Sequence, residues 1–397
     1  MIVSPLLIVS AALHGYVALR LCPALALPAA QVALAVLMLV SAVVVPLGLT
    51  GARRPRGKKA WPFAQALTWA SLLLMGLFSS LLVLTLLRDA VLLMLWALGA
   101  VWPAAPLAAW RGGSAVAVPL LALLATVVGF WNARRTPAVV RVDVPITGLP
   151  AALTGFTVAQ ISDIHVGPTI RRAYLERIVN RVNTLGADVV AITGDLVDGP
   201  VAVLAQQVAP LAGLLSRHGT YFVTGNHEYY SGAHAWVAEL RRLGLTVLLN
   251  EHVVLHHNDA TLAMPDAQED AQLTAQLVLA GVTDFSAHHF DEAHRSDPKA
   301  ALEGAPPAAP VRVLLAHQPR SAQAAQAAGF DLQLSGHTHG GQFYPWNWFV
   351  RLQQPYVSGL SRLQGLWVYT SRGTGYWGPP KRFGAPSEIT LLRLVAG

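Results

Sequence analysis

The sequence predicts two parts of different architecture, an α-helical membrane segment followed by an α/β domain. Residues 1–133 contain eight Lys or Arg and a single acid, Asp89, whereas residues 134–397 contain twenty basic and twenty acidic residues. The first part consists of long apolar runs, and the second alternates short apolar runs with amphipathic helical patterns. A chain of 397 residues is also too long for one ordinary core. We therefore expect a transmembrane region at 1–133, a linker at 134–150 and a second domain at 151–397.

Four apolar runs are long enough to cross a bilayer as helices, for which roughly 17–25 residues suffice. They cover residues 2–19, 29–49, 63–87 and 115–131. A fifth run, at 91–110, contains Pro103 and Pro106, so we expect residues 88–113 to form an interfacial hairpin and regard five spans as the alternative. His14 interrupts the first run. A buried, hydrogen-bonded histidine is its ordinary interpretation, and an intramembrane functional site is the other.

Basic residues between the apolar runs predict the orientation of the membrane region. The loops at 53–59 and 134–141 are basic, and such loops prefer the cytoplasm. Both loops lie in the cytoplasm if an even number of spans separates them, and the runs at 63–87 and 115–131 are two such spans. The whole region then has four spans, with both termini in the cytoplasm. We expect a multi-pass protein of the bacterial inner membrane with a cytoplasmic second domain. Because the excess basic charge flanks membrane spans, nucleic acid is not an expected partner despite the sequence pI of 9.8.

In the second part, short apolar runs predict strands, and an amphipathic pattern at 170–185 predicts a helix. Residues 256–272 and 286–310 are polar or rich in Ala and Pro, which indicates surface insertions. The predicted strands cover residues 157–161, 188–193, 220–223, 246–249, 276–282, 311–316, 332–334, 366–370 and 388–394.

Polar motifs directly follow several of these strands. Open α/β sheets place ligands at the carboxyl ends of their strands, so side chains distant in sequence can meet there. Any one motif could be an ordinary turn, but their joint occurrence after predicted strands indicates one site. The motifs are Asp163-Ile164-His165, Gly194-Asp195, Gly225-Asn226-His227-Glu228, Ala316-His317 and Gly336-His337-Thr338-His339.

Carboxylate, imidazole and amide groups form a donor set that suits Mn²⁺, Fe or Zn²⁺. Two such ions about 3.5–4 Å apart need a bridging carboxylate, and together they can clamp a phosphate. We expect the glycines at 194, 225 and 336 to let the backbone turn sharply beside the ligands. The histidines in or near the insertions are interpreted as solvated surface residues rather than a third metal site: His252, His256, His257, His288, His289 and His294.

The order of these motifs resembles the signature of calcineurin-like metallophosphoesterases over roughly residues 140–397. The stretches Gly225 to Gly232 and Ser371 to Gly375 are similar to a bacterial membrane-anchored subgroup that includes phosphodiesterases and pyrophosphohydrolases of UDP-2,3-diacylglucosamine. The resemblance implies a four-layer α/β/β/α sandwich. It also implies hydrolysis of a phosphoester or pyrophosphate by a metal-bridging hydroxide, with Mn²⁺ as the expected metal.

Carried over by motif position, the resemblance implies two metal sites that share Asp195. His227 would contact phosphate and assist the leaving group, and Glu228 could orient His227 from behind. The membrane region suggests a lipid-linked or amphiphilic substrate. One metal would be held by Asp163, His165, Asp195 and His339, and the other by Asp195, Asn226, His317 and His337.

A membrane transporter or sensor with a non-catalytic metal-binding domain is the alternative function. The candidates for charged residues inside the apolar spans are Arg88, Asp89 and Arg111. All three lie at segment edges, which is weak support for a transport path. The complete ligand set favours an enzyme, because a non-catalytic relative commonly loses ligands.

The orientation can be tested with a reporter fused after Gly397. Because positive loops stay inside, the reporter should register as cytoplasmic. A periplasmic signal from the same fusion would contradict the four-span topology and support five spans. A fusion within the basic loop at 53–59 provides the cytoplasmic control, since that loop is also expected inside.

Overall fold

The computed structural model describes residues 5–51, 63–99, 107–258 and 274–397. The chain divides into two compact units. The helical unit comprises Met1–Arg134 together with Gly378–Phe383, and the α/β unit comprises Arg135–Trp377 and Gly384–Gly397. The short segment at 378–383 thus belongs to the helical unit although its neighbours in sequence belong to the other.

Within the described residues, the helical unit contains four helices that are long and apolar enough to cross a membrane. The third continues well past the expected span end at residue 87, and the hairpin expected at 88–113 is largely helical. The basic loop at 53–59 and the prolines 103 and 106 lie outside the described residues. The helices are α1 (Pro5–Leu21), α2 (Pro28–Gly51), α3 (Ala64–Gly99) and α4 (Leu107–Arg134).

Polar side chains inside the helical unit are hydrogen-bonded to one another or to the backbone. His14 is buried, with Nδ1 2.7 Å from the Ser10 carbonyl oxygen and Nε2 2.8 Å from Ser41 Oγ, in agreement with its ordinary interpretation. Asp89 accepts hydrogen bonds from Tyr16 and Arg20, each at 2.7 Å. Such pairing offsets the cost of placing polar groups in an apolar environment.

The buried ammonium of Lys381 fastens the segment Gly378–Phe383 within the helical unit. Its Nζ donates to the Gly76 carbonyl oxygen at 2.9 Å, to Ser80 Oγ at 2.5 Å and to Thr126 Oγ1 at 3.1 Å. These acceptors lie on α3 and α4, so one side chain crosslinks two helices through the segment.

The α/β unit is built on two six-stranded sheets. The strands are β1 (Ala138–Ile146), β2 (Thr157–Ile161), β3 (Val189–Ile192), β4 (Thr220–Phe222), β5 (Thr246–Val247), β6 (Glu251–Asn258), β7 (Thr274–Gly281), β8 (Val311–Leu315), β9 (Leu332–Ser335), β10 (Gly359–Leu363), β11 (Leu366–Thr370) and β12 (Glu388–Ala396). The first sheet has the order β1-β12-β2-β3-β4-β5 with β2 to β5 parallel, and the second has the order β10-β11-β9-β8-β7-β6 with β11, β9, β8 and β7 parallel.

The two sheets share one buried apolar core, which contains Val158 and Val189 from the first sheet and Leu277 and Val313 from the second. A second apolar cluster packs the helix at Ala322–Ala328 against the other face of the second sheet. The expected fold class, apolar helices followed by a two-sheet α/β domain, is confirmed. The helices are α5 (Arg172–Asn183), α6 (Val201–Val208), α7 (Asn226–Ser231), α8 (Ala233–Arg242), α9 (Ala322–Ala328) and α10 (Trp346–Val350).

The structure differs from the sequence-based assignment at the edges of both sheets. Most of the linker expected at 134–150 is strand β1, which pairs in parallel with β12 from Ala138 opposite Glu388 onward. Strand β6 enters the first expected insertion, whose remainder at 259–273 lies outside the described residues. Edge strands are half exposed and stabilised mainly by a partner distant in sequence, so their local pattern is weak.

Candidate metal centre

The sequence motifs converge at the carboxyl ends of the parallel strands of both sheets. Asp163 and His165 follow β2, Asp195 follows β3, and α7 begins directly after β4. His317 follows β8, and His337 and His339 follow β9. Two groups of side chains that share no residue result, in each of which the potential ligand atoms lie within 4.8 Å of one another: Asp163, His165 and His339, and Asp195, His317 and His337. A further group, His165, Asp195 and His227, overlaps both.

The carboxylate of Asp195 approaches both groups. Its Oδ2 lies 3.2 Å from His317 Nε2 and 3.9 Å from His165 Nε2. Within the first group, the Nε2 atoms of His165 and His339 are 3.0 Å apart. In the second group, His337 Nδ1 lies 3.2 Å from His317 Nε2. One carboxylate oxygen between two sets of imidazoles is the arrangement that a bridged pair of cations needs.

The donor atoms of the centre fit metal ions. Asn226 Oδ1 is buried and has no hydrogen-bond partner in the described part of the chain, which is a costly state for an amide oxygen without a ligand. His317 Nδ1 lies 2.7 Å from the Thr193 carbonyl oxygen. If Nδ1 donates to that carbonyl, the lone pair of Nε2 faces Asp195, as in many metal-binding histidines.

The backbone of the centre is held in an unfavourable conformation. Positive φ is uncommon for residues other than glycine, and such strain concentrates at functional sites. The candidate ligands with positive φ are Asp163 (53°), His165 (56°), Asp195 (50°), His337 (70°) and His339 (51°).

The glycines beside the candidate ligands are needed more because a neighbouring group approaches closely than because the backbone turns sharply. Of the glycines at 194, 225 and 336, only Gly194 has a positive φ, of 84°. A Cβ on Gly225 would overlap Asp195 Oδ1, and one on Gly336 would overlap Asp163 Oδ2. Any larger residue at either position would displace a candidate ligand carboxylate.

Asp198 connects the centre to His227. Its Oδ1 lies 2.6 Å from His227 Nδ1 and 3.0 Å from His165 Nδ1. Burial disfavours protonation of His227, but the Asp198 hydrogen bond and the charges of Asp195 and Asp198 outweigh it and raise the pKa of His227 to about 9. His227 Nε2 lies 4.0 Å from Asp195 Oδ2, so the imidazole edge opposite Asp198 is beside the centre.

Glu228 has a different role from the one the sequence suggested. It is fully buried, and its carboxylate accepts backbone N–H groups of Gly225 at 2.7 Å, Asp195 at 2.9 Å and Leu196 at 2.8 Å. Burial and the charge of Asp195 raise the pKa of Glu228 to about 7 against the opposing effect of these hydrogen bonds. The carboxylate that bonds His227 is Asp198, so the expected orienting role of Glu228 is wrong.

Sequence reasoning missed Asp198, although a signal was present. Asp198 stands three residues after Asp195 in Gly194-Asp195-Leu196-Val197-Asp198. That spacing identifies a second acid in the same loop. Which histidines it reaches depends on how the loops after β2 and β4 fold over it.

The histidines outside the centre are not all solvated. His256 and His289 are exposed as expected, but His257 is buried, with Nδ1 3.1 Å from His218 Nε2 and 3.9 Å from Asp188 Oδ1. Asp188 Oδ2 already accepts the Thr157 N–H at 2.8 Å. The expectation of a solvated His257 is therefore wrong, because β6 turns this side chain inward against the start of β3.

Comparison with known proteins agrees with the geometry. A family model described as calcineurin-like phosphoesterase matches residues 156–341. A transmembrane protein with metallophosphoesterase domain from Bos taurus is 43% identical over 310 residues, covering 73% of this chain and 67% of the relative. The protein of the same description from Danio rerio is 40% identical over 69% of this chain and 62% of the relative.

A bacterial relative is similar over the same extent. An uncharacterized metallophosphoesterase of Helicobacter pylori (strain J99) is 35% identical over 67% of this chain and 66% of the relative. The chain thus spans about two thirds of the length of these relatives. Family match, sequence relatives and the arrangement of the five motifs agree, and the chain belongs to the calcineurin-like metallophosphoesterases, a family of phosphoester hydrolases.

Proposed function

We propose that the chain hydrolyses a phosphoester or pyrophosphate bond with the help of two divalent cations. The observation that carries this proposal is the position of Asp195 Oδ2 between two groups of imidazoles. Bound there, Mn²⁺, Fe or Zn²⁺ ions would activate a water nucleophile and neutralise phosphoryl charge. The proposed ligands are Asp163, His165, Asp195 and His339 for one ion and Asp195, Asn226, His317 and His337 for the other.

His227 is the proposed general acid. Its peptide N–H donates to Asp195 Oδ1 at 2.9 Å, which fixes the residue beside the bridging carboxylate. Asp198 holds Nδ1 and favours the imidazolium, so Nε2 carries a proton for the departing oxygen. Asp198 acts through His227 and His165 and is a positioning residue.

Exposed aromatic side chains near His227 support an amphiphilic substrate. Tyr230 and Trp377 contact the His227 imidazole edge to face, with ring centroids 5.3 Å and 5.9 Å away. Phe290 extends this surface beyond Tyr230 at 5.4 Å. All three remain 51–63% exposed, which is unusual for clustered aromatics without an apolar ligand.

We place this activity at a membrane. The relatives from Bos taurus and Danio rerio are described as transmembrane proteins, and the described residues include four helices apolar enough to span. Together with the aromatic surface, this supports a lipid-linked phosphate ester as substrate. The basic loop at 134–141 supports a bacterial inner-membrane location with the α/β unit in the cytoplasm.

The first prediction concerns metal content and activity. Purified protein should bind close to two divalent ions per chain and hydrolyse bis(p-nitrophenyl) phosphate with added Mn²⁺. Asp195→Ala should disturb both sites, because its carboxylate faces both groups, whereas Asp143→Ala, at an exposed ion pair with Arg393, should disturb neither. Elemental analysis that finds one ion or fewer in active protein would contradict the dinuclear model.

The second prediction concerns His227 as an acid. His227→Ala should keep normal metal content and melting temperature, and its turnover should fall about 10²–10⁴-fold on esters with poor leaving groups. Aryl esters should lose less, because their leaving groups need little protonation. His234→Ala, an exposed histidine on α8, is the control. An equal loss on both ester types, or loss of an ion, would remove His227 from this role.

The third prediction concerns Asp198. Asp198→Asn should lower turnover roughly 10–100-fold, the usual cost of losing a carboxylate behind a ligand or catalytic imidazole. In a His227→Ala background the same change should cost less, because the two residues act as one unit. Asp188→Asn, which also removes a carboxylate beside two histidines, should leave turnover intact. Fully additive losses would contradict the positioning role.

A further inference from the structure

A polar cavity of about 480 Å³ in the α/β unit adjoins the candidate centre. Its lining begins at Gly340, the residue directly after candidate ligand His339. The volume is within the range of roughly 300–1,000 Å³ typical of small-molecule sites, and several times larger than one phosphate requires. The remaining lining residues used below are Tyr344, Asn347, Arg351, Tyr356 and Arg372.

Close packing couples this cavity to the ligand loop. A Cβ on Gly340 would lie 3.1 Å from Arg372 Cγ, so the arginine stem rests on the backbone next to His339. A Cβ on Gly384 would overlap the Tyr344 ring, so this ring packs directly against that glycine. Both contacts place a lining side chain against a glycine backbone.

The charge in the cavity is positive. Arg351 and Arg372 contribute guanidinium groups, and the lining contains no Asp or Glu. Among the described residues, Arg351 has no carboxylate within ion-pair distance, and Arg372 Nη1 is a long 3.7 Å from Glu388 Oε2. Glu388 Oε1 is already engaged by the Tyr369 hydroxyl at 2.8 Å. Two guanidiniums thus line a cavity beside a centre for phosphate chemistry.

The cavity also presents aromatic and amide side chains. Tyr344 and Tyr356 offer aromatic surfaces for a ring, and Asn347 contributes an amide group to the lining. The planar guanidinium matches phosphate oxygens with paired N–H donors, which gives Arg a strong preference for such groups.

We propose that this cavity binds a second phosphate of the substrate, attached to a polar ring-containing moiety beyond the scissile phosphorus. The inference rests on the proposed hydrolytic function and names its substrate class: compounds with two phosphate groups, only one of which is cleaved. Arg351 and Arg372 hold the spectator phosphate. The aromatic surface of Tyr230, Phe290 and Trp377 remains for an apolar part.

The test compares two esters with the same leaving group, thymidine 5′-(p-nitrophenyl phosphate) and its 3′-phosphorylated counterpart. Wild type should prefer the bisphosphate at least about 10-fold in kcat/KM, as expected when a hydrogen bond to a charged group is gained. In Arg351→Gln/Arg372→Gln this ratio should fall towards one. Arg181→Gln, an exposed arginine on α5, should retain the wild-type ratio.

A wild-type ratio near one, or a ratio unchanged in the double variant, would overturn the proposal. If neither ester is hydrolysed, the proposed function fails, and calorimetry with thymidine 3′,5′-bisphosphate and thymidine 5′-monophosphate decides the cavity separately. Tighter binding of the bisphosphate that depends on the two arginines supports the cavity. Equal binding of both nucleotides overturns it.

Discussion

The carboxylate of Glu228 ties the loop after β3 to the loop after β4, and the geometry of the centre depends on that tie. A buried carboxylate is costly, and here it is compensated by backbone N–H groups from both loops. These contacts hold the Asp195 backbone, and a separate hydrogen bond from the His227 N–H to Asp195 Oδ1 places His227 beside it. Without Glu228, the loop that carries Asp195 and the loop that carries His227 would lose the hydrogen bonds that connect them.

Strain and close packing are the consequences of this tight assembly. Candidate ligands adopt positive φ so that side chains from different strands can face one point. Gly225 and Gly336 lack side chains where a ligand carboxylate occupies the space. Unfavourable local conformations persist because the surrounding sheets and hydrogen bonds determine them.

Both aromatic and charged side chains surround the centre. Aromatic side chains gather near His227, and the guanidiniums of Arg351 and Arg372 line a cavity beside His339. The proposed amphiphilic substrate, with an anionic polar part, would match these two surfaces. The helical unit is stabilised by buried polar contacts of its own, since Lys381 donates hydrogen bonds to α3 and α4. Lys381 belongs to the segment Gly378–Phe383, which lies between two parts of the α/β unit in sequence.

The sequence by itself determined the fold class, the family and the types of side chain available at the candidate centre. The strands at 157–161 and 366–370 were predicted with the bounds observed, because buried β-branched runs are a local signal. Asp163, Asp195 and His337 were predicted because polar residues that directly end such runs must face the sheet edge. The order of the motifs then identified the family.

Tertiary structure alone decided the contacts that cross between motifs. Strand β1 forms its hydrogen bonds with β12, some 250 residues away, so no local sequence pattern predicts this strand. Asp198 rather than Glu228 bonds His227, because the fold of two loops, not spacing along one, sets which carboxylate an imidazole meets. Ligand types are a local property of the chain, whereas partners are a property of its three-dimensional arrangement.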